Sequence, residues 1–246
     1  MLSRSPREGT SIVMQLALKA LLLAVLVTYT SQELAWEKLS IRGASITARR
    51  DAAIGYNAVD DTIYIFGGKV VENDKPLDDM QTLQMSSKVW KQISATPRSC
   101  APNARYGTVF GSRGDYMYIA TGEGIVTNAA NQKERTIFND IWRFKFSDKS
   151  WSQLSSGDVN LAARHSAAGG IHEKDSTFYV SHGMGNDELF SHSYTYNTAK
   201  PSDTAGWEEV HSGTNSYDPR FPHSRAKQSS VVISNNKLLL FGGCLR

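Results

Sequence analysis

The sequence predicts an all-β protein built from copies of one four-stranded antiparallel unit, and two spaced markers carry this prediction. Tryptophans preceded by turn-like stretches recur at separations of 54, 61 and 56 residues: Trp36, Trp90, Trp151 and Trp207. An arginine after a small residue also recurs, and each copy closes on a glycine 17 to 19 residues beyond that arginine. No helical apolar period occurs between these markers, so strands are the expected elements.

Each copy supplies the segments that such a unit needs. The arginines are Arg50 (or its neighbour Arg49), Arg105, Arg164 and Arg225. A short apolar strand and a polar turn follow each arginine, and the second strands are TIYIFGG, YMYIATG, TFYVSHG and KLLLFGG. A longer polar loop then leads to a third strand, MQTLQM, NDIWRFKF or SYTYN, and the tryptophan strand comes fourth. This order predicts a four-stranded meander in each copy.

The length of the unit, the glycine pair after a β-rich strand and the tryptophan resemble the kelch repeat. The glycine markers are Gly67, Gly68, Gly122, Gly183, Gly242 and Gly243, with Thr121 and His182 replacing the first glycine in the second and third copies. The resemblance implies a β-propeller whose four-stranded blades stack round a channel. It also implies that the glycines allow close approach of the next blade and that the tryptophans fill the wedges between blades.

The repeat count predicts an incomplete propeller of three full blades plus partial ones. Its expected units are a closing strand at 32–40, full units at 50–94, 105–155 and 164–211, and an incomplete unit at 225–246. In the kelch family a leading fourth strand completes the last blade, but the last unit has no third strand here. We therefore expect the amino-terminal part of a larger ring, from a fragment or a truncated gene model.

Residues 1–31 are predicted to be a signal peptide, with translation starting at Met1 or Met14. Lys19 precedes an unbroken apolar run, Ala20 to Val27, and small and polar residues follow as far as Ser31. This order is typical of secretory signals, and the run is short for a membrane span. A signal anchor and a buried helix are the alternatives. The prediction is a secreted protein or the extracellular face of a membrane protein, with attachment only if a further segment carries a span.

Composition excludes some partners and leaves the cysteines open. The formal charge of +3 is mostly in residues 1–31, which carry a net +2, and no basic stripe interleaved with aromatic residues occurs, so we expect no nucleic acid partner. Cys100 and Cys244 are the only cysteines. They could pair with each other, but they belong to different copies, so partners outside this sequence are the preferred interpretation.

The long loops after the second strands share one face with the connections between units, and this long-loop face is the predicted binding surface. Arg50, Arg105, Arg164 and Arg225 start the innermost strands, near the expected channel mouth. Similar arginines in some kelch proteins contact acidic peptides, so they are the candidate ligand-binding residues, with blade carbonyls as their alternative partners. The expected function is an extracellular or lumenal module that binds a protein or a glycan. The alternatives are a galactose-oxidase-like copper enzyme with its site elsewhere, and an intracellular kelch adaptor.

Other motifs predict little chemistry. Arg113-Gly114-Asp115 spells an adhesion tripeptide, but it occupies a turn position that is polar in every copy. The histidines have no metal-ligand spacing, and no Ser-His-Asp or paired-carboxylate pattern stands out. We therefore expect no catalytic residues, no metal and no cofactor in this sequence.

Overall fold

The computed structural model describes residues 36–93, 101–157, 160–200, 206–213, 222–233 and 237–245. The chain divides into two units, Met1–Ser40 and Ile41–Arg246. In the first unit, residues 36–40 form no strand and Trp36 is fully exposed. Residues 32–35 of the closing strand predicted at 32–40 lie outside the described residues, so that strand stays a prediction.

Repeat 1 (49–93) is a four-stranded antiparallel sheet with short additions. The short strand β1 (Arg42–Gly43) precedes it, and its own strands are β2 (Arg49–Arg50), β3 (Ala53–Asn57), β4 (Thr62–Phe66), β5 (Lys69–Val70), β6 (Met80–Gln84) and β7 (Val89–Ile93). The sheet order is β1-β7-β6-β4-β3, so the meander β3, β4, β6, β7 is as predicted. Two features are unexpected, since β1 pairs parallel to β7 and β2 pairs antiparallel to β5 in a separate two-stranded sheet.

Repeat 2 (105–155) has the same meander and a hairpin built into its long loop. Its strands are β8 (Arg105–Tyr106), β9 (Val109–Arg113), β10 (Tyr116–Ala120), β11 (Glu123–Thr127), β12 (Lys133–Ile137), β13 (Ile141–Lys145) and β14 (Ser150–Ser155). The main sheet has the order β14-β13-β10-β9, and β12-β11-β8 form a three-stranded sheet beside it. The loop predicted between the second and third strands is therefore largely β-structure.

Repeats 3 (164–211) and 4 (225–244) continue the pattern. Their strands are β15 (Ala168–Ile171), β16 (Thr177–Ser181), β17 (Ser193–Asn197), β18 (Glu208–His211), β19 (Ala226–Ile233) and β20 (Lys237–Cys244). β15 to β18 form a four-stranded antiparallel sheet in sequence order, and β19 pairs with β20 as a two-stranded hairpin. Three full four-stranded sheets and a partial one confirm the predicted all-β blade architecture.

Alternating side chains explain why these segments are strands. In β3 and β4 every second residue is buried, as expected for a sheet with two unlike faces. The turn between them is closed by side-chain chemistry, because the Asn57 Oδ1 accepts a hydrogen bond from the Val59 N–H at 3.1 Å. Asp175 Oδ1 does the same for the Thr177 N–H in repeat 3, at 2.9 Å.

The core consists of two aromatic seams, one between each pair of full blades. Between repeats 1 and 2, Tyr64 and Phe66 of β4 contact Phe146 and Trp151 of repeat 2, with ring centroids 4.5 Å and 4.9 Å apart. The next seam buries Tyr118 of β10 against Phe178 and the other buried residues of repeat 3. The tryptophan of each following blade thus closes a wedge, as the resemblance implies.

The two outward faces of this stack are apolar and exposed. Ile54 and Tyr56 of β3 are about half exposed on repeat 1, where no earlier blade packs among the described residues. On repeat 4, Phe241 stands at the position that Phe66 occupies in repeat 1 and is 83% exposed. The difference between the two phenylalanines shows that the neighbouring blade, and not the residue type, buries this position.

Candidate functional site

Backbone hydrogen bonds link the innermost strands of all four repeats. Four equivalent residues have positive φ angles: Asp51 (58°), Gly107 (62°), Ser166 (52°) and Lys227 (60°). The N–H of each donates to the carbonyl of the one before it, with N···O distances of 2.9, 2.7 and 3.0 Å from Gly107 onward. These residues also line an open cavity of about 410 Å³ beside the inner strands. They define the channel and fix how each blade is placed beside the next.

The repeated arginine lies two residues before each of these positions. Its Nη1 donates to the backbone carbonyl at the first position of the glycine pair, over 3.0 to 3.2 Å in every repeat: Arg49 to Gly67, Arg105 to Thr121, Arg164 to His182 and Arg225 to Gly242. The position in repeat 1 is therefore Arg49, and the assignment of Arg50 is corrected. Sequence spacing could not separate Arg49 from Arg50, because the spacing from the arginine to the closing glycine varies by two residues among the copies and both arginines fit it.

The second glycine of the pair joins one blade to the next. The N–H groups of Gly68, Gly122 and Gly183 each donate to the carbonyl of the following repeat's arginine at 2.9 Å: Arg105, Arg164 and Arg225 respectively. These glycines have φ angles of 86°, 105° and 96°, which residues with a Cβ rarely adopt. A Cβ on Gly122 would lie 2.7 Å from the Thr108 side chain. The glycine pair thus approaches the next blade closely, as the resemblance implies, and the approach allows a backbone hydrogen bond between the two blades.

The repeated arginines also pair with a carboxylate in repeats 1 and 2 but not in repeat 3. Asp79 accepts from Arg49 over 2.6 and 2.9 Å, and Asp140 accepts from Arg105 over the same two distances. Burial alone would raise the pKa of Asp79, but hydrogen bonds from Arg49 and Gln81 outweigh it and lower the pKa.

His192 holds the corresponding position in repeat 3, as the backbone shows. The His182 N–H donates to the His192 carbonyl just as the Thr121 N–H donates to that of Asp140. Arg164 consequently makes no ion pair with any described residue, and its buried Nη2 has no hydrogen-bond partner among them. The guanidinium lies against the rings of Phe190 and Tyr194 instead, at 4.1 and 5.1 Å. Burial lowers its pKa to about 10 although the nearby Tyr194 hydroxyl raises it, so Arg164 stays charged at neutral pH.

Burial decides which candidate arginines a ligand can reach. Arg105 and Arg164 are 1% and 0% exposed, so their guanidinium groups are closed to a ligand in this conformation. Arg225 is partly buried and already bonded to Gly242. Arg50 is different, because its side chain is 51% exposed and its ion pair with Asp74, at 2.8 Å, is at the surface. Of the four predicted residues, Arg50 alone is exposed, and its guanidinium bonds at the surface to Asp51 and Asp74, at 3.4 and 2.8 Å.

A second polar cluster on this face joins repeats 2 and 3. The Glu123 carboxylate lies 2.6 Å from Arg135 Nε and 3.3 Å from His165 Nε2. His165 Nδ1 in turn lies 3.1 Å from Ser166 Oγ. Arg135 Nη1 also donates to Asn186 Oδ1 of repeat 3 at 3.0 Å. Sequence reasoning missed this cluster, because only the adjacent His165-Ser166 could have drawn notice and Glu123 is far away in the chain.

The electrostatics of this cluster follow from burial and from its charges. Burial lowers the pKa of His165, which is then neutral at pH 7. Burial would raise the pKa of Glu123, but hydrogen bonds from Arg135 and Tyr106 outweigh it, so the pKa is lowered and the carboxylate is ionised. Burial and Glu123 raise the pKa of Tyr106, which stays protonated. The cluster thus combines one anion, one neutral imidazole and protonated donors.

The other motifs have local explanations. The Arg113-Gly114-Asp115 turn joins β9 to β10, and Asp115 accepts hydrogen bonds from the backbone and the hydroxyl of Ser147 at 3.0 and 2.6 Å. The aspartate is therefore engaged in holding the neighbouring turn of its own blade. Cys244 is exposed and free, and Cys100 lies outside the described residues, so the pairing stays a prediction.

Within the described ranges, no three His, Cys, Asp or Glu residues are grouped as metal ligands would be. The part of the chain that the structure describes has no helix long and apolar enough to cross a membrane.

Comparison with known proteins agrees with this geometry. A family model described as the KLHDC2/KLHL20/DRC7 Kelch-repeats domain matches residues 20–243. The chain belongs to the kelch-repeat family. Among solved structures, that of YjhT is similar at 15% identity with a TM-score of 0.58, which shows the propeller fold alone. The match covers 79% of this kelch chain and 59% of YjhT, so the chain spans less than two thirds of that structure. No curated protein matches the sequence.

Proposed function

We propose that this kelch propeller is a binding module for an acidic segment of a protein partner, used at its long-loop face. The observation that carries the proposal is the difference among the arginines. The arginines at the repeat position bond to the backbone of their own blade, as Arg49 does to Gly67. Arg50, one residue later, has an exposed guanidinium on the same face. A guanidinium fork is suited to carboxylates.

The neighbourhood of Arg50 favours exchange of partners. Its ion pair with Asp74 is exposed at both ends, and such pairs contribute only about 0 to 1 kcal/mol. Lys69 lies 3.5 Å from the same aspartate, and Arg50 also lies 3.4 Å from the exposed Asp51, so each of these surface pairs is shared and weak. A ligand carboxylate can therefore displace Asp74 from Arg50 at little cost.

The loops of this face supply area beyond the charges. The loops that follow the second strands are the long ones, and in repeat 2 the loop is stiffened by the β11–β12 hairpin. Arg135 on β12 is half exposed and reaches Asn186 of repeat 3. A loop held by strands and by a contact to the next blade gives a rigid surface, which lowers the entropic cost of binding.

The proposal is tested with an array of acidic and sequence-matched amide peptides and a glycan array. We expect acidic peptides to bind the chain and Arg50→Glu to reduce that binding at least tenfold. Lys174→Glu is the matched control, because it reverses a charge on an exposed turn at the opposite ends of the strands. Equal loss for both variants, or binding confined to glycans and unaffected by Arg50→Glu, would contradict the proposal.

We also propose that the module acts outside the cytosol, supported by the order of Lys19, the apolar run Ala20 to Val27 and the polar exit to Ser31. The test is expression with a carboxyl-terminal tag in secretory cells. A product in the medium that has lost about 30 residues is expected from a cleaved signal of ordinary length. A full-length product kept in the cytosol would instead favour the intracellular adaptor.

A further inference from the structure

Three side chains from two blades form a line that ends in the channel. Ser166 Oγ lies 3.1 Å from His165 Nδ1, and His165 Nε2 lies 3.3 Å from Glu123 Oε2. The carboxylate and the imidazole are buried, with residue exposures of 8% and 5%. Ser166 is only partly buried and lines the 410 Å³ cavity. A hydroxyl, an imidazole and a carboxylate in this order are the parts of a nucleophile with its general base.

The position of Ser166 in the chain is suitable for a nucleophile. Its φ of 52° is in the left-handed region, so Ser166 departs from the strand conformation just before β15. The backbone conformation itself serves the blade contacts, since Asp51, Gly107 and Lys227 share it. Repeat 3 differs from the other repeats in having a hydroxyl side chain at this position. No other repeat places a serine there or a histidine one residue before it.

The charge states of the group suit proton transfer. His165 is neutral at pH 7 because burial lowers its pKa, so a ring nitrogen is available to accept the serine proton. The charged groups that face it are Glu123, which raises its pKa, and Arg135, Lys227 and Lys69, which lower it. Glu123 is ionised and can stabilise the imidazolium that forms.

The geometry is that of a resting site. His165 Nε2 and the carboxylate are within ion-pair distance but are not aligned for a hydrogen bond. Catalytic hydrogen bonds are often long or misaligned before a substrate is bound. Lys227 lines the same cavity and lowers the pKa of His165, so a cation is among the groups of this cavity.

We propose that Ser166, His165 and Glu123 form an acyl-transfer site that hydrolyses small carboxylic esters in the channel of this propeller. Ser166 Oγ bonds to the ester carbonyl carbon while its proton passes to His165 Nδ1. The carbon–oxygen bond to the alcohol then breaks, and the alcohol leaves with the proton from His165. Water next attacks the acyl-serine, again giving a proton to His165, and the acid is released as Ser166 regains that proton.

The test uses the whole chain with a fluorophosphonate probe and with p-nitrophenyl acetate. We expect one phosphonyl adduct, on the peptide that contains Ser166, and none with Ser166→Gly. Glycine is chosen because Gly107 has the same conformation in repeat 2, so the variant should keep its fold. Ser230→Ala is the matched control, because Ser230 lines the same cavity but bonds to the Gly169 backbone at 2.9 Å instead of to an imidazole.

One further variant and a pH profile distinguish a catalytic group from an exposed hydroxyl. His165→Gln should slow both probe labelling and ester hydrolysis by about 100-fold or more, the usual contribution of a general base. In the unmodified chain the labelling rate should fall only below pH 6.5, as His165 becomes protonated. No adduct at Ser166, an equal adduct in folded His165→Gln, or equal ester turnover by Ser166→Gly would overturn the proposal.

Discussion

The substitution His192→Asp would restore a carboxylate that repeats 1 and 2 have and repeat 3 lacks. Asp79 and Asp140 each accept two hydrogen bonds from the arginine of their own blade, over 2.6 and 2.9 Å. Arg164 occupies the same position, but its Nη2 is buried without a hydrogen-bond partner among the described residues. An aspartate at 192 would stand where Asp140 stands in repeat 2, so the guanidinium should gain both bonds.

The size of the gain follows from the cost of an unsatisfied buried donor. A buried polar group without a partner costs about 1 to 3 kcal/mol, and hydrogen bonds between charged groups are worth about as much. We therefore expect the free energy of unfolding to rise by about 2 kcal/mol. For a chain of this size that raises the Tm by about 4 to 8 °C, measurable by circular dichroism or by urea unfolding.

The control is His192→Asn, which has the shape of aspartate but no charge. It should give less than half of the gain, because an amide oxygen accepts a neutral and weaker hydrogen bond. If His192→Asp leaves the Tm unchanged or lowers it, or if His192→Asn stabilises equally, the ion-pair reasoning is refuted. The contacts of Arg164 with the Phe190 and Tyr194 rings would then be its full compensation.

Three further predictions concern the same framework. Asp79→Asn should make the stability of the protein less sensitive to acid. The lowered pKa of Asp79 contributes stability that is present above its unfolded pKa of about 3.9 and is lost as the pH falls. The free energies of unfolding in urea at pH 7 and pH 3 should therefore differ less in the variant than in the unmodified chain. Thr121→Gly should raise the free energy of unfolding by about 1 kcal/mol, since a β-branched residue at φ 62° is strained, whereas Thr121→Ala should not; equal Tm values would contradict this. Trp151→Ala should cost about 3 to 5 kcal/mol by emptying the wedge beside Phe66, and a loss below 1 kcal/mol in denaturant titration would show that the seam does not hold the blades.

Most strands could be predicted because their pattern is local. The third strands are β6, β13 and β17, and each lies within the segment that alternation and position marked. The hairpin β11–β12 could not be predicted in the same way. The segment Lys133–Ile137 has three exposed charged residues and no apolar alternation, so its strand character comes from pairing with β11 and not from propensity.

The candidate site shows a sharper limit of sequence reasoning. Spacing identified the repeated arginine but could not separate Arg49 from Arg50, and only the paired carbonyl and carboxylate distinguish them. The two residues have opposite surroundings although they are adjacent in the chain. The contact of Glu123 with His165 depends on the packing of two blades, so no local pattern could show it.

The most direct test of the account is a comparison of Arg49→Ala with Arg50→Ala by urea unfolding at pH 7. Arg49 belongs to the framework of the blade, whereas Arg50 is proposed to bind the partner. Arg49→Ala should lower the free energy of unfolding by about 3 kcal/mol, because it breaks a largely buried ion pair and leaves Asp79 unpaired. Arg50→Ala should change it by less than about 0.5 kcal/mol, as exposed pairs do. Equal losses, or a larger loss for Arg50→Ala, would contradict the division of roles between these two arginines.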